Sequence, residues 1–148
     1  TNLAGIARQN ISLLQHDADK KHLTIIDNMP GDTTAFCDPG QMDVVIRNLL
    51  MNAIKFTGNN GIITITAASA ADSVTFSVTD TGVGMTSEHL EKLFIPADDR
   101  NTYGTEGERG FGLGLLLCNE FIKANKGSIS VTSELKKGTT FTVTLPGT

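Results

Sequence analysis

The chain has 148 residues, of which 39% are hydrophobic and a further 15 are glycine, the apolar share of an ordinary globular protein, which excludes disordered, collagen-like and coiled-coil classes. Twelve Lys and Arg against 16 Asp and Glu give a net charge of −4, so no basic field exists to hold a phosphate backbone and nucleic acid is excluded as a partner. No apolar run approaches the roughly 18 residues of a membrane span, residues 1–9 lack a signal-peptide layout, and Cys37 and Cys118 form neither a metal spacing nor a disulfide framework. The sequence reads as one domain without membrane contact, cytoplasmic, and its start at Thr1 as that of a fragment of a longer polypeptide.

Leu3, Ile6, Leu13, Leu14 and Ala18 recur with loose helical spacing and predict an opening helix to about Asp19, followed by a strand at Leu23–Asp27. A second strand is expected at Thr33–Cys37, closed by the turn signal Asp38-Pro39-Gly40. Asp38 is placed to cap the next helix and Pro39 suits its first position. Met42, Val45, Ile46, Leu49, Leu50, Ala53 and Ile54 follow the three-then-four rhythm of a broadly buried helix ending near Phe56. Ile63, Ile65 and Ala67, then Val74, Phe76 and Val78, alternate as a hairpin. A short helix is expected from Thr86 to about Phe94, and the aperiodic stretch from Ile95 to Gly110 is long enough to be functional rather than accidental. A helix over Leu113–Lys126 follows, with Gly127 as its C-terminal cap, and a second hairpin turns at Lys136-Lys137-Gly138. The expected fold is α+β in two layers: a mixed sheet of about five strands, one face covered by about three helices, the strand threonines on the other.

Chemistry gathers in three places. Asn48 and Asn52 lie four apart, hence on one helix face, with Lys55 beside them. Asparagine has poor propensity for a helix middle, yet the pair alone reads equally well as surface amides. Asp80 ends a strand and precedes Thr81-Gly82-Val83-Gly84-Met85, where paired glycines let the backbone approach a ligand and the carboxylate can accept from an exocyclic amine. Gly110-Phe111-Gly112-Leu113-Gly114 opens a helix, whose free N-terminal amides favour anions. A dinucleotide fingerprint is ruled out there, because no strand immediately precedes it and no βαβ unit surrounds it.

In order along the chain, Asn48-Leu-Leu-Met-Asn52-Ala-Ile-Lys55-Phe56, Asp80-Thr-Gly-Val-Gly84, Leu93-Phe94, the glycine-rich Gly104–Leu115 and Gly138-Thr-Thr-Phe-Thr-Val-Thr-Leu-Pro146 together resemble the ATP-binding catalytic domain of bacterial sensor histidine kinases. That family shares a superfamily with type II topoisomerases, heat-shock chaperones and mismatch-repair ATPases. The resemblance covers essentially residues 1–148. It implies that Asn52 holds the Mg²⁺ bridging the ATP phosphates, with Asn48 near the phosphates or metal shell and Lys55 approaching the phosphates. It further implies that Phe56 lies beside the adenine, that Asp80 receives the adenine amino group, that Gly82 and Gly84 make room for the base, and that Thr139 supports it. Met85 and Leu113 would adjoin the nucleotide, Gly110, Gly112 and Gly114 would admit the phosphates, and Arg109 would be the nearest cation of a flexible ATP lid over about 95–110. The family also implies a phosphoacceptor domain outside this chain, which dimerises the parent protein, a downstream response regulator, and anchoring of some parents in the inner membrane.

Two departures stand out: Phe111 occupies a place where the family has a small hydroxyl residue, and Ile95–Arg100 lacks its usual aromatics. Neither His16, His22 nor His89 has the acidic-residue-and-Pro setting of a phosphoacceptor, so the acceptor histidine is expected elsewhere. The leading reading is γ-phosphoryl donation to that histidine. Phe111 supports an alternative, a degenerate nucleotide-binding module. A chaperone- or gyrase-type hydrolase is disfavoured, because Asn48 stands where those relatives carry a water-activating glutamate and an amide cannot act as a base.

Overall fold

The computed structural model describes residues 1–91 and 113–148. Helix α1 (Leu3–Lys20) starts on Asn2, whose side chain accepts a hydrogen bond from Gly5 N at 3.0 Å. Strand β1 (Thr24–Asn28) follows, then α2 (Pro39–Phe56), the hairpin β2 (Ile62–Ser69) and β3 (Ser73–Asp80), the short α3 (Ser87–Glu91), α4 (Leu113–Ala124), and the hairpin β4 (Ser128–Glu134) and β5 (Gly138–Pro146). The strands form one five-stranded sheet in the order β1-β2-β3-β5-β4, with β1 parallel to β2 and the rest antiparallel. This is the mixed sheet and α+β class that the sequence predicts.

Strand alternation builds the two faces. Ile63, Ile65, Val74, Phe76, Val78, Phe141, Val143 and Leu145 are buried in a core shared with the helices. The opposite face pairs hydroxyls across strands, Thr75 with Thr144, Ser77 with Thr142 and Thr79 with Thr140, at 3.0–3.2 Å. Helix α2 is central, packing on both α1 and α4, and its entire predicted apolar stripe is buried. Asp38 accepts from Gln41 N at 2.8 Å and Pro39 sits in the first turn, as the Asp-Pro-Gly signal requires.

The structure corrects three details. Leu13 is 63% exposed, and the buried face of α1 is Leu3, Ala4, Ala7, Asn10, Leu14 and Ala18. The small Ala4 and Ala7, which the spacing of larger apolar residues passes over, let the helix lie close to its neighbours. The buried Asn10 donates to Ile6 O and to Asp43, and accepts from Arg47, cross-linking α1 to α2. Thr33–Cys37 is not a strand. Its backbone groups are divided between the chain start and the end of β5 (Leu3 N to Thr33 O, Ala35 N to Thr1 O, Phe36 N to Pro146 O), leaving a single bridge from Thr34 to Asn2 and no continuous ladder. Gly127 is not the left-handed cap of α4 either. Lys126 takes that conformation at φ 62°, while Gly127 N closes on Ile122 O. Glycine is needed at 127 because a Cβ there would stand 2.4 Å from Thr144 O. The expected extension of the short helix to Phe94 and the expected lid lie outside the described residues.

Helix α2 ends at Phe56, as the sequence predicts, but the group that closes it is not visible there. Lys21, only 8% exposed, extends its ammonium under the last turn and donates to Ile54 O, Lys55 O and Thr57 O at 3.0, 3.1 and 3.4 Å. These are carbonyls that a helix end leaves without partners, and the cation also meets the negative end of the helix dipole. Lys21→Met, which keeps the stem but removes the donor, is expected to lower the unfolding free energy by about 2–3 kcal/mol. Urea denaturation checks this, and a loss below about 0.5 kcal/mol would contradict the assignment.

Candidate nucleotide site

Asp80 is the last residue of β3. Cross-strand register sets it opposite Thr139 of β5, which in turn lies opposite Ser133 of β4, so the three form one row at the end of the sheet. Asp80 and Thr139 are buried, at 7% and 6% exposure. The Asp80 carboxylate accepts from Gly82 N at 2.8 Å, and the Thr139 backbone N–H also favours its ionised form. Burial outweighs both hydrogen bonds and pushes its pKa up to about 6. No cation among the described residues offsets that burial.

The loop after Asp80 is clamped from both sides. Val83 N donates to Phe56 O at the end of α2 (3.0 Å), and Lys136 N from the β4–β5 turn donates to Val83 O (2.7 Å). Met85 N donates to Ser133 Oγ at 2.7 Å. The glycines admit this clamp: a Cβ at Gly82 would stand 2.2 Å from Phe56 O, and one at Gly84, at φ 70°, 2.0 Å from Glu134 O. The room they leave next to the loop is filled by the chain's own backbone. Gly138, at φ 126°, lets the turn pass Asp80, since a Cβ there would stand 1.9 Å from Asp80 O. A polar pocket of about 310 Å³ opens beside Asp80, Ser133 and Thr139.

The α2 residues divide. Asn48 is half-buried, and its Nδ2 donates to Val44 O at 2.9 Å. Its Oδ1 faces the start of α4, where a Cβ on Gly114 would approach it to 2.8 Å. Asn52 is half-buried one turn on, and no described residue hydrogen-bonds its amide. Lys55 lines a groove between α1 and α2 with Leu14, Asp17 and Met51. Phe56 and Met85 are buried in the core. Leu113 opens α4, while Arg109, Gly110 and Gly112 lie outside the described residues. Sequence reasoning missed Ser133, which reads there as one more serine of an alternating strand; counting register back from the Lys136-Lys137-Gly138 turn would have set it beside Thr139.

A family model described as histidine kinase-, DNA gyrase B- and HSP90-like ATPase matches residues 37–148, and the chain belongs to that family. Its relatives include sensor histidine kinases. It is 32% identical to the sensor histidine kinase ZraS of Escherichia coli (strain K12), over 98% of this chain and 30% of that protein. It is 38% identical to sporulation kinase E of Bacillus subtilis (strain 168), over 95% and 19%. The chain thus spans about 30% and 19% of the length of these curated relatives. Among solved structures, the catalytic domain of the histidine kinase ThkA superposes with a TM-score of 0.84 at 28% identity, covering 98% of this chain and 94% of that one. Full-length ShkA in complex with AMPPNP gives 0.81 at 27%, covering 100% and 31%.

Asp80 makes stability depend on pH in an unusual direction. Because its folded pKa, about 6, lies above the ordinary 3.8, the ionised form opposes folding in full above pH 6, and this cost is relieved as pH falls toward the unfolded value. Wild type should therefore gain stability relative to Asp80→Asn between pH 7 and pH 4, by up to about 3 kcal/mol. Urea unfolding of both proteins across that range measures it, and a pH-independent difference would contradict the buried, uncompensated carboxylate.

Proposed function

We propose that residues 1–148 form an ATP-binding catalytic domain that binds Mg·ATP and donates the γ-phosphoryl group to a histidine on a separate phosphoacceptor domain of the parent protein, from which it passes to a response regulator. The observation that carries this reading is the buried Asp80 carboxylate at the sheet end, set beside Thr139 and unmatched by a cation among the described residues. Such a group favours a ligand that brings its own donor, and the exocyclic amine of adenine is one. The AMPPNP complex of the similar ShkA supports the same ligand class.

The α2 amides fit the phosphate end. Among the described residues no three His, Cys, Asp or Glu side chains converge on a metal position. A Mg²⁺ ion that keeps its waters and takes most other oxygens from phosphates needs few protein ligands, and the Asn52 amide, which no described residue engages, is an adequate one. Bound there, the ion would neutralise phosphate charge. Asn48 and Gly114 would border the phosphates, with Lys55, Arg109, Gly110, Gly112 and Leu113 assigned to the nucleotide on the family resemblance, and residues 95–110 assigned as the lid.

Phosphoryl transfer relies on positioning: the histidine nitrogen bonds to the γ-phosphorus as the bond to the β-phosphate oxygen breaks and ADP leaves. The described residues offer no base for water at the Asn48 position, which favours transfer over hydrolysis. The chain, mixed with its cognate phosphoacceptor domain and radiolabelled Mg·ATP, should label that domain with an acid-labile, base-stable phosphate. Asn52→Ala should cut the labelling roughly 100-fold or more. Undiminished labelling in that variant, or rapid multiple-turnover ATP hydrolysis by the chain alone, would contradict the proposal.

A further inference from the structure

The row Asp80–Thr139–Ser133 contains one hydroxyl whose orientation can be worked out. Ser133 Oγ has three neighbours: Met85 N at 2.7 Å, Gly138 O at 3.0 Å and Thr139 Oγ1 at 2.8 Å. Met85 N can only donate, and Gly138 O can only accept. A serine hydroxyl has one proton and two lone pairs. The Ser133 proton is therefore committed to Gly138 O, and one lone pair to Met85 N. The remaining contact is satisfied only if Thr139 donates its own hydroxyl proton to Ser133. That commitment leaves Thr139 Oγ1 with lone pairs alone for any ligand. Beside it, Asp80 is an acceptor when ionised.

We infer that Ser133 is a specificity-determining residue of the nucleotide site: by holding the Thr139 proton away from the ligand, it turns the Asp80–Thr139 row into paired acceptors that favour a base or bridging water presenting hydrogen and disfavour a base presenting a carbonyl. This rests on the nucleotide-binding reading above and extends it to a residue that need not touch the base. Ser133 is a positioning residue. Its hydroxyl, rather than its bulk, sets the polarity of a neighbour across the strands. With Ser133 replaced by alanine, the Thr139 hydroxyl is released, can rotate, and can donate to a carbonyl as readily as it accepts.

The test is a comparison of Mg·ATP and Mg·GTP affinities by calorimetry on the full chain. Wild type should prefer ATP. Ser133→Ala should lose about tenfold of that preference, chiefly through relatively better GTP binding. Ser133→Thr, which restores a hydroxyl at the same atom, should recover it. A role in packing alone would weaken both nucleotides together and leave their ratio unchanged. If Ser133→Ala does not fold, Ser133→Cys, with a weaker donor and acceptor of similar size, should show a partial loss. An unchanged ratio in whichever of these two variants folds, or a lost ratio in Ser133→Thr, overturns the inference while leaving nucleotide binding intact. Wild type that binds neither nucleotide overturns the reading beneath it.

Discussion

An ionisable carboxylate buried at the end of a strand, with no cation of the described protein against it, is the constraint around which this fold is arranged. Burying such a group costs free energy that two backbone N–H groups, from Gly82 and Thr139, offset only in part. Holding those donors in place requires the loop after β3 to turn sharply back on Asp80. It also requires the β4–β5 turn to pass close above it. Gly82, Gly84 and Gly138 are where each close pass would otherwise place a Cβ within about 2 Å of another backbone atom.

The loop is held from beneath by α2, and that connection joins the two halves of the site. Phe56 O receives Val83 N, and Asn52 lies one helical turn, about 6 Å, before Phe56 along the axis. A rigid helix thus sets the interval between the residues proposed for the base and those proposed for the metal and phosphates. Lys21 gives the end of that helix a definite geometry by gathering three carbonyls. Opposite Asn48, the start of α4 comes so close that a Cβ on Gly114 would stand 2.8 Å from Asn48 Oδ1. Asn125, just past the end of α4, bonds Asp38 N and Gln41 at the start of α2, so the C-terminal end of α4 is fastened to the start of α2.

The fold was largely legible in the sequence because its elements obey local rules. The Asp38-Pro39 start and the heptad-like stripe of α2 are spelled out within about twenty residues, and both hairpins alternate cleanly on either side of their turns. Asp80 was legible as a candidate site residue only through the ordered set of motifs, because an Asp-Thr-Gly turn by itself is common. What was hidden depends on residues far apart in the chain. Lys21 follows Lys20 and looks like surface charge, yet its partners lie more than thirty residues on. Ser133 becomes special only when register sets it against Thr139 and the loop brings Met85 to it, 48 residues away in sequence. Thr33–Cys37 has strand-like composition, and only the positions of Thr1 and Pro146 divide its hydrogen bonds.

The central claim, that the Asp80 row receives the base of a nucleotide, is tested most directly by following the amide resonances of Gly82 and Thr139 during titration with Mg·ATP. Gly82 N–H bonds the Asp80 carboxylate and the Thr139 N–H favours its ionised form, so both should respond when that carboxylate gains a new donor. The account predicts saturable shifts at both amides with ATP, and much smaller ones with GTP at the same concentrations. Saturation by ATP that leaves both amides unmoved would contradict it.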